Sequence, residues 1–295
     1  MRFTALIPVF FVLIWPTGFV GAKFGLPYAE PLTFLALRFG IAAGVLAMIV
    51  LLWPTPRLAR HQISLQVAIG ILVHGLYLGG VFVAIHWGLE AWVSALILGL
   101  QPIATAFFAR FLLGERLVAV QWAGMVLGLM GVALIIVRKV EAGLGTPAAF
   151  GICTFGLVAI ALGAVLQKRQ AQAAPMVAGN AVQFAAASLL CALGAFVFET
   201  REIRAEPEFF LALGWMVIVL SFVAITLLYL MIRAGGASQV ASLFFLVPPL
   251  TALYAWGMFG ETLGWIEAAG MALACLGVLM VNRGAPKAAQ AAPTG

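Results

Sequence analysis

The chain has 295 residues, 64% hydrophobic and 9% charged, with a mean hydropathy of +1.14 and a net charge of +6. A soluble domain carries roughly 25% charged residues, so the composition excludes a water-covered fold and makes lipid the solvent. The sixteen basic residues stand singly rather than in a patch, which argues against nucleic acid as a partner; the ten acids are all glutamates, and there is no aspartate.

Apolar runs near the ~20-residue spanning length occur at 3–22, 32–53, 64–87, 91–113, 119–137, 147–168, 177–198, 207–232, 237–259 and 265–282. The first run lacks a convincing cleavage site and leads into many similar runs, so it reads as a retained helix and not a signal peptide. The separators carry the turn and charge signals: Pro27 to Pro31, Pro54 to Arg57, Gly114-Glu115-Arg116, Gly143 to Gly145, and Glu199 to Glu208. No separator is long enough for a soluble domain. The Ala/Pro-rich tail, 285–295, is expected to be disordered. Cys153, Cys191 and Cys275 lie inside apolar runs without CxxC spacing, so neither a disulfide framework nor a metal site is indicated. The expected fold class is an all-α membrane protein with ten transmembrane helices.

Ten spans put both termini on one side. That side receives ten basic residues against one acid, Glu115, and the other receives six against nine glutamates. The positive-inside rule then places both termini in the cytoplasm of a cell with this protein in its inner membrane.

An internal repeat runs through the chain. Shifted by 146 residues, 91–137 falls without a gap on 237–283, with 16 of 47 positions identical. Pro102 lands on Pro248, Gly114-Glu115 on Gly260-Glu261, and Ala123-Gly124-Met125 on Ala269-Gly270-Met271. Nearer the start of each half a shift of 145 lays Gly18 on Gly163, Lys23 on Lys168 and Phe39 on Phe184. The halves are 1–140 and 141–284. Five spans per half is an odd number, so the second copy enters the membrane from the opposite face. Inverted repeats of this kind put a binding site between the halves, near the midplane.

Several residues are candidates for that site. Arg38 sits about two turns into the second span, where it could meet a substrate carboxylate, form a gate, or simply snorkel outward. His74 and Tyr77 lie one turn apart at mid-depth and share a face; His74 could bind substrate or a proton, or be a neutral core histidine. Gln101, Gln167, Asn180 and Gln183 are amides within apolar runs, each able to bond between helices or meet a ligand. Gln101, beside Pro102, is the better ligand candidate, whereas Gln167 and Asn180 read better as interhelical hydrogen bonds. The aromatics Trp15, Phe19, Tyr77, Tyr229, Phe244 and Phe245 would suit flat apolar substrates, or merely pack. Trp53, Trp87, Trp122, Trp215 and Trp265 lie at span ends, as interface-belt residues do. Pro102, Pro248 and Pro249 free the carbonyls of Leu98, Phe244 and Phe245, which marks them as hinges.

The Trp15-Pro16-Thr17-Gly18-Phe19 stretch, Pro31-Leu32-Thr33-Phe34 with Leu37-Arg38-Phe39, and the repeated Ala…Pro…Gly-Glu block carry a family resemblance. The chain resembles the EamA-type exporters of the ten-helix drug/metabolite transporter superfamily, and within it the amino-acid exporters, including those of the aromatic (YddG) type. The resemblance implies export by alternating access, with spans 1, 3, 4, 6, 8 and 9 around a central cavity.

No GxxxxGK[ST] loop and no HExxH is present, so neither ATP hydrolysis nor zinc proteolysis is encoded, and no cofactor is expected. The leading expectation is a non-enzymatic secondary transporter, a monomer in the bilayer, exporting small amphipathic metabolites, aromatic or other apolar amino acids foremost. With no mid-membrane carboxylate, facilitated or exchange transport is favoured over tight proton coupling. Multidrug or organic-cation efflux is the alternative, and an integral-membrane lipid-handling protein or enzyme is the reading from another class.

Overall fold

The computed structural model describes residues 2–56, 58–112, 114, 117–141, 143, 145–170, 175–235 and 243–284, without the side chains of 2–5, 168–170, 229, 232–235 and 284. The tail and the Glu115-Arg116 pair therefore lie outside the described residues. Among these residues the chain is helical, with turns and one isolated antiparallel bridge between Ala29 and Ile203. Helices are numbered by span: α1 Leu6–Gly25, α2 Pro31–Leu52, α3 Arg60–His86, α4 Ala91–Leu112, α5 Ala119–Glu141, α6 Pro147–Gln167, α7 Met176–Phe198, α8 Pro207–Leu228, α9 Phe244–Phe259 and α10 Trp265–Arg283. All but α9 are long and apolar enough to cross a membrane.

Proline decides where several of these helices start or break. Pro16 lacks an N–H, and α1 is divided there into Arg2–Ile14 and Thr17–Gly25. The Thr17 hydroxyl donates to the freed end of the first piece, 2.6 Å from Ile14 O. In α4 the helix is interrupted at Leu100, two residues before Pro102. In α9 a 3-10 turn, Phe244–Leu246, precedes the regular helix Val247–Phe259, so Pro248 and Pro249 occupy a first turn, where a missing N–H costs little. The repeat therefore breaks α4 in its interior, while in α9 the matching prolines open a helix.

The halves pack through equivalent helices. α2 lies on α7, α5 on α10 and α4 on α9, while α1 packs on α8 and α3 on α6. Without a hydrophobic drive between helices in lipid, small residues make the close contacts. The α5–α10 pair shows this best. A Cβ built on Gly124 would stand 2.6 Å from Gly277 O, and one on Gly131 would stand 2.5 Å from Gly270 O. Pairing 124 with 277 and 131 with 270 also makes α5 and α10 antiparallel. Outward faces remain apolar: Leu51, Leu129, Phe196, Phe198 and Trp256 are exposed, as lipid requires. The five span-end tryptophans are exposed as well.

Gly124→Val should force α5 from α10 and cost about 1–3 kcal/mol, the usual penalty of overpacking. Gly214→Ala, on α8 with nothing within 4 Å of its Cβ position, should leave stability nearly unchanged. Thermal unfolding of the two variants in the same detergent checks the contrast.

Candidate functional site

The site begins with two irregular turns that the apolar pattern does not announce. α3 widens into a π turn at Ile71–Leu76 and α8 at Met216–Ala224. The 145-residue shift lays Ile71 on Met216, so both widenings begin at equivalent positions. Such turns add a residue to the coil, re-aim the side chains, and recur at functional sites.

Between the widened turns, α2 crosses α7. The rings of Phe39 and Phe184 stack there, 5.7 Å apart and 12° from parallel. Beside Phe39, Arg38 donates from Nε to Ser221 Oγ at 3.2 Å, in the widened turn of α8. Ser221 in turn donates to Met216 O at 3.1 Å. The residue equivalent to Arg38 under the repeat is Gln183, and it bonds the other widened turn, with His74 Nε2 3.2 Å from Gln183 Oε1. Gln183 Nε2 donates onward to Gln66 Oε1 at 2.5 Å. Because the amide nitrogen is the donor to Gln66, its oxygen accepts from His74. A neutral His74 then carries its proton on Nε2 and keeps a lone pair on Nδ1.

Of these side chains Arg38, His74, Gln183 and Phe184 line a cavity of about 160 Å³ between the halves. Trp15, Gly18 and Phe19 come from α1, Arg38 from α2, and His74, Tyr77, Val81 and Phe82 from α3. Ile160 and Gln167 come from α6, Asn180, Gln183 and Phe184 from α7, and Leu220, Ile225 and Leu228 from α8. Arg38 does not snorkel: it is 6% exposed and held inward by Ser221. Gln167, Asn180 and Gln183 line the cavity in addition to any interhelical bonding. Among the described lining residues there is no carboxylate, and no group of His, Cys, Asp and Glu is placed to hold a metal ion.

Other candidates lie elsewhere. Phe244, Phe245 and Pro248 line a separate pocket of about 10 Å³ against α4 and α10, and Phe245 O faces the Cys275 thiol at 3.7 Å. Phe244 reaches the site only through an edge-on contact with Trp15, centroids 5.4 Å apart. Gln101, Pro102 and Pro249 are not among the cavity's described lining. The Tyr229 side chain lies outside the described residues. α4 and α9, which the resemblance puts around the cavity, contribute none of its described lining. They are crossed on each other instead, with Gly99 against the Pro248 ring, and α2 and α7 take their place.

The end of the bundle opposite the termini is closed by charge. Lys23 of α1 pairs with Glu261 at 2.5 Å, and Glu261 also accepts the Ala91 N–H that begins α4, at 3.1 Å. Lys139 pairs with Glu90 at 2.6 Å and lies over the Trp92 ring. Glu199, at the end of α7, accepts the Leu32 and Thr33 N–H groups that begin α2, at 2.6 and 2.8 Å. Carboxylates belong at these helix N-termini, where the dipole is positive and N–H groups lack partners. Glu30 tethers the α7–α8 loop by accepting from Thr200 Oγ1 and Arg201 N–H. Burial pushes its carboxyl up, but these hydrogen bonds outweigh that and hold it below the usual range. Lys23–Glu261 and Glu199–α2 both join one half to the other.

Sequence comparison decides the family. The EamA-like transporter family model matches twice, at residues 3–137 and 149–283. The chain belongs to the EamA-like transporter family. Among its relatives, the uncharacterized inner membrane transporter YedA of Escherichia coli K12 is 28% identical over 292 residues, covering 96% of this chain and 94% of YedA. A probable amino-acid metabolite efflux pump of Salmonella typhimurium is 26% identical over 282 residues, covering 90% of each. A crystal structure with 21% sequence identity has the same fold, at a TM-score of 0.65 and coverage of 95% of this chain. This EamA-like chain is thus a multi-pass membrane transporter built from two copies of one unit.

Within this transporter Glu261 is buried and takes its hydrogen bonds from both a cation and a backbone N–H. Lys23→Met strands a buried carboxylate with one partner and should cost about 1–3 kcal/mol. Glu261→Gln keeps an acceptor for Ala91 N–H and removes the charge, so it should cost less. The order of the two melting temperatures in detergent checks this, and the reverse order would show that Lys23 contributes nothing to the closed end.

Proposed function

We propose that this transporter exports small amphipathic metabolites, apolar and aromatic amino acids foremost, across the bacterial inner membrane by alternating access. The observation that carries the reading is the cavity between the halves, lined by aromatic rings around a few polar groups and closed toward one end by ion pairs. A ligand site of this type is mostly apolar, with a small number of placed polar groups to fix orientation. Trp15, Phe19, Tyr77 and Phe184 offer faces for a flat side chain, and Arg38, His74 and Gln183 offer polar contacts. The amino-acid metabolite efflux pumps among the relatives support the same substrate class.

The charge asymmetry of the loops supports an orientation with both termini in the cytoplasm. The ion-paired end is then the outer face. Gln167, Asn180 and Leu228, near the opposite ends of α6, α7 and α8, bring the cavity lining toward the cytoplasmic side. Loading from the cytoplasm and release after the outer ion pairs part gives export. The break at Leu100 and the 3-10 turn before Pro248 are the hinges of this reading, since both lie where α4 and α9 cross. Organic cations are disfavoured, because the described lining offers them no carboxylate.

Orientation is tested by single cysteines in a cysteine-free background. Those at Thr55 and Lys168 should be protected from impermeant thiol reagents in intact spheroplasts, and those at Glu141 and Glu202 should be labelled. Substrate class is tested in proteoliposomes of the purified chain. Phenylalanine, tryptophan and leucine should exchange and compete with one another. His74→Ala and Tyr77→Ala should each lower the exchange rate about fivefold, the effect of one hydrogen bond worth ~1 kcal/mol, with normal yield. Exchange of organic cations alone would replace this function with drug efflux.

A further inference from the structure

We infer that Arg38 is a carboxylate subsite and that the transporter, besides zwitterionic amino acids, carries carboxylates of net negative charge, whose export moves charge across the membrane. The inference rests on the export reading and names the chemistry of its substrate. Arg38 is 6% exposed, lines the cavity and lies within the span of α2. One of its five N–H groups, on Nε, is committed to Ser221. Ser221 is itself fixed through its own donation to Met216 O, so the guanidinium is held from one edge. The remaining edge is the planar fork that binds a carboxylate bidentately.

The charge on this group has no counterpart among the cavity's described lining residues. Lys23–Glu261, Lys139–Glu90 and Arg138–Glu141 pair at the end opposite the termini, away from the cavity. The cation–π contact with Phe39, at 5.3 Å, offsets part of a charge and not the whole of it. An ionised side chain within a span otherwise pairs with a partner or faces water. A ligand carboxylate completes the pair. By contrast, an ammonium group meets only neutral acceptors here: the Nδ1 lone pair of His74, the Tyr77 hydroxyl and amide oxygens. The site therefore requires the carboxylate and tolerates the loss of the amine.

A consequence for energetics follows. Arg38 stays with the protein, so the charge moved per cycle is the substrate's own. An anion leaving an inside-negative compartment runs down the potential and needs no coupling ion. For one charge, a tenfold ratio corresponds to about 60 mV. The cavity's described lining has no acid to carry a coupled proton or sodium ion, and an anion makes that carrier unnecessary.

Three compounds with one side chain separate the possibilities in proteoliposomes of the full chain: phenylalanine, N-acetylphenylalanine, which keeps only the carboxylate, and phenylalaninamide, which keeps only the amine. N-acetylphenylalanine should inhibit phenylalanine exchange at least as well as phenylalanine itself, and phenylalaninamide at least tenfold less well. A valinomycin potassium potential, inside negative, should speed efflux of N-acetylphenylalanine severalfold and leave phenylalanine efflux unchanged. Arg38→Gln should reduce N-acetylphenylalanine transport at least tenfold. Phenylalanine exchange with equal inhibition by phenylalaninamide, or with no response of N-acetylphenylalanine to the potential, overturns this inference while the export reading stands. No exchange of phenylalanine, tryptophan, leucine or N-acetylphenylalanine overturns both. The wild-type competition series decides the matter even if Arg38→Gln does not fold.

Discussion

A charge carried into a bilayer must find its partner inside the protein, because lipid supplies neither water nor counter-ion. Most of this structure can be read from how that constraint is met. At the end opposite the termini, Lys23, Glu261, Lys139 and Glu90 are neutralised pairwise, and Glu261 and Glu199 are further held by helix N-termini. Lys23–Glu261 and Glu199 on α2 also pull the two halves together, so there neutralisation and closure are one event. In the middle of the protein the rule is left unfulfilled at Arg38, whose protein partners are a hydroxyl and an aromatic ring. Lys139 and Glu261, the other buried charges among the described residues, are both ion-paired, so the exception marks the place that a ligand completes.

Separating the ionic groups from the cavity also separates two tasks. The cavity is built on the crossing of α2 and α7, with polar side chains reaching into the widened turns of α3 and α8. Each widened turn takes one cross-half hydrogen bond, Gln183 to α3 and Arg38 to α8. A change in the angle between the halves must therefore alter both bonds at once. Substrate that touches Arg38 or His74 is coupled to the same movement, which is how binding energy can reach the closed end without a direct contact.

Much of this was legible from residue patterns. The ten apolar runs and the 146-residue shift gave the helices and the two copies, because spanning length and duplicated Gly-Glu and Pro positions survive as local signals. Arg38, His74, Tyr77, Trp15 and Phe19 stood out because polar or aromatic groups in an apolar run are conspicuous, and the structure gathers all five. Phe244 and Phe245 stood out as aromatics and, with Pro248, through the proline rule, but neither ring chemistry nor a proline break says what their side of the helix faces. Here that side faces α4 and α10. The π turns left no trace in hydropathy, since one extra residue per turn changes no residue type. Ser221 was equally silent, being a small hydroxyl among apolar neighbours. Gln183 stood out only as one of four amides in apolar runs, although the shift that pairs Phe39 with Phe184 also sets it opposite Arg38.

That last correspondence bears on how such a cavity can arise. Two identical five-helix chains meeting about the same axis would present either two arginines or two glutamines to each other. Two guanidinium groups within one cavity repel, and two amides leave no charge for a carboxylate to meet. A single positive charge at the centre of a two-fold arrangement requires the two copies to differ in sequence, which a duplication joined in one polypeptide secures in every molecule. Divergence between the halves is thus the condition for chemical asymmetry at the axis, and the Arg38/Gln183 pair is where this chain makes use of it.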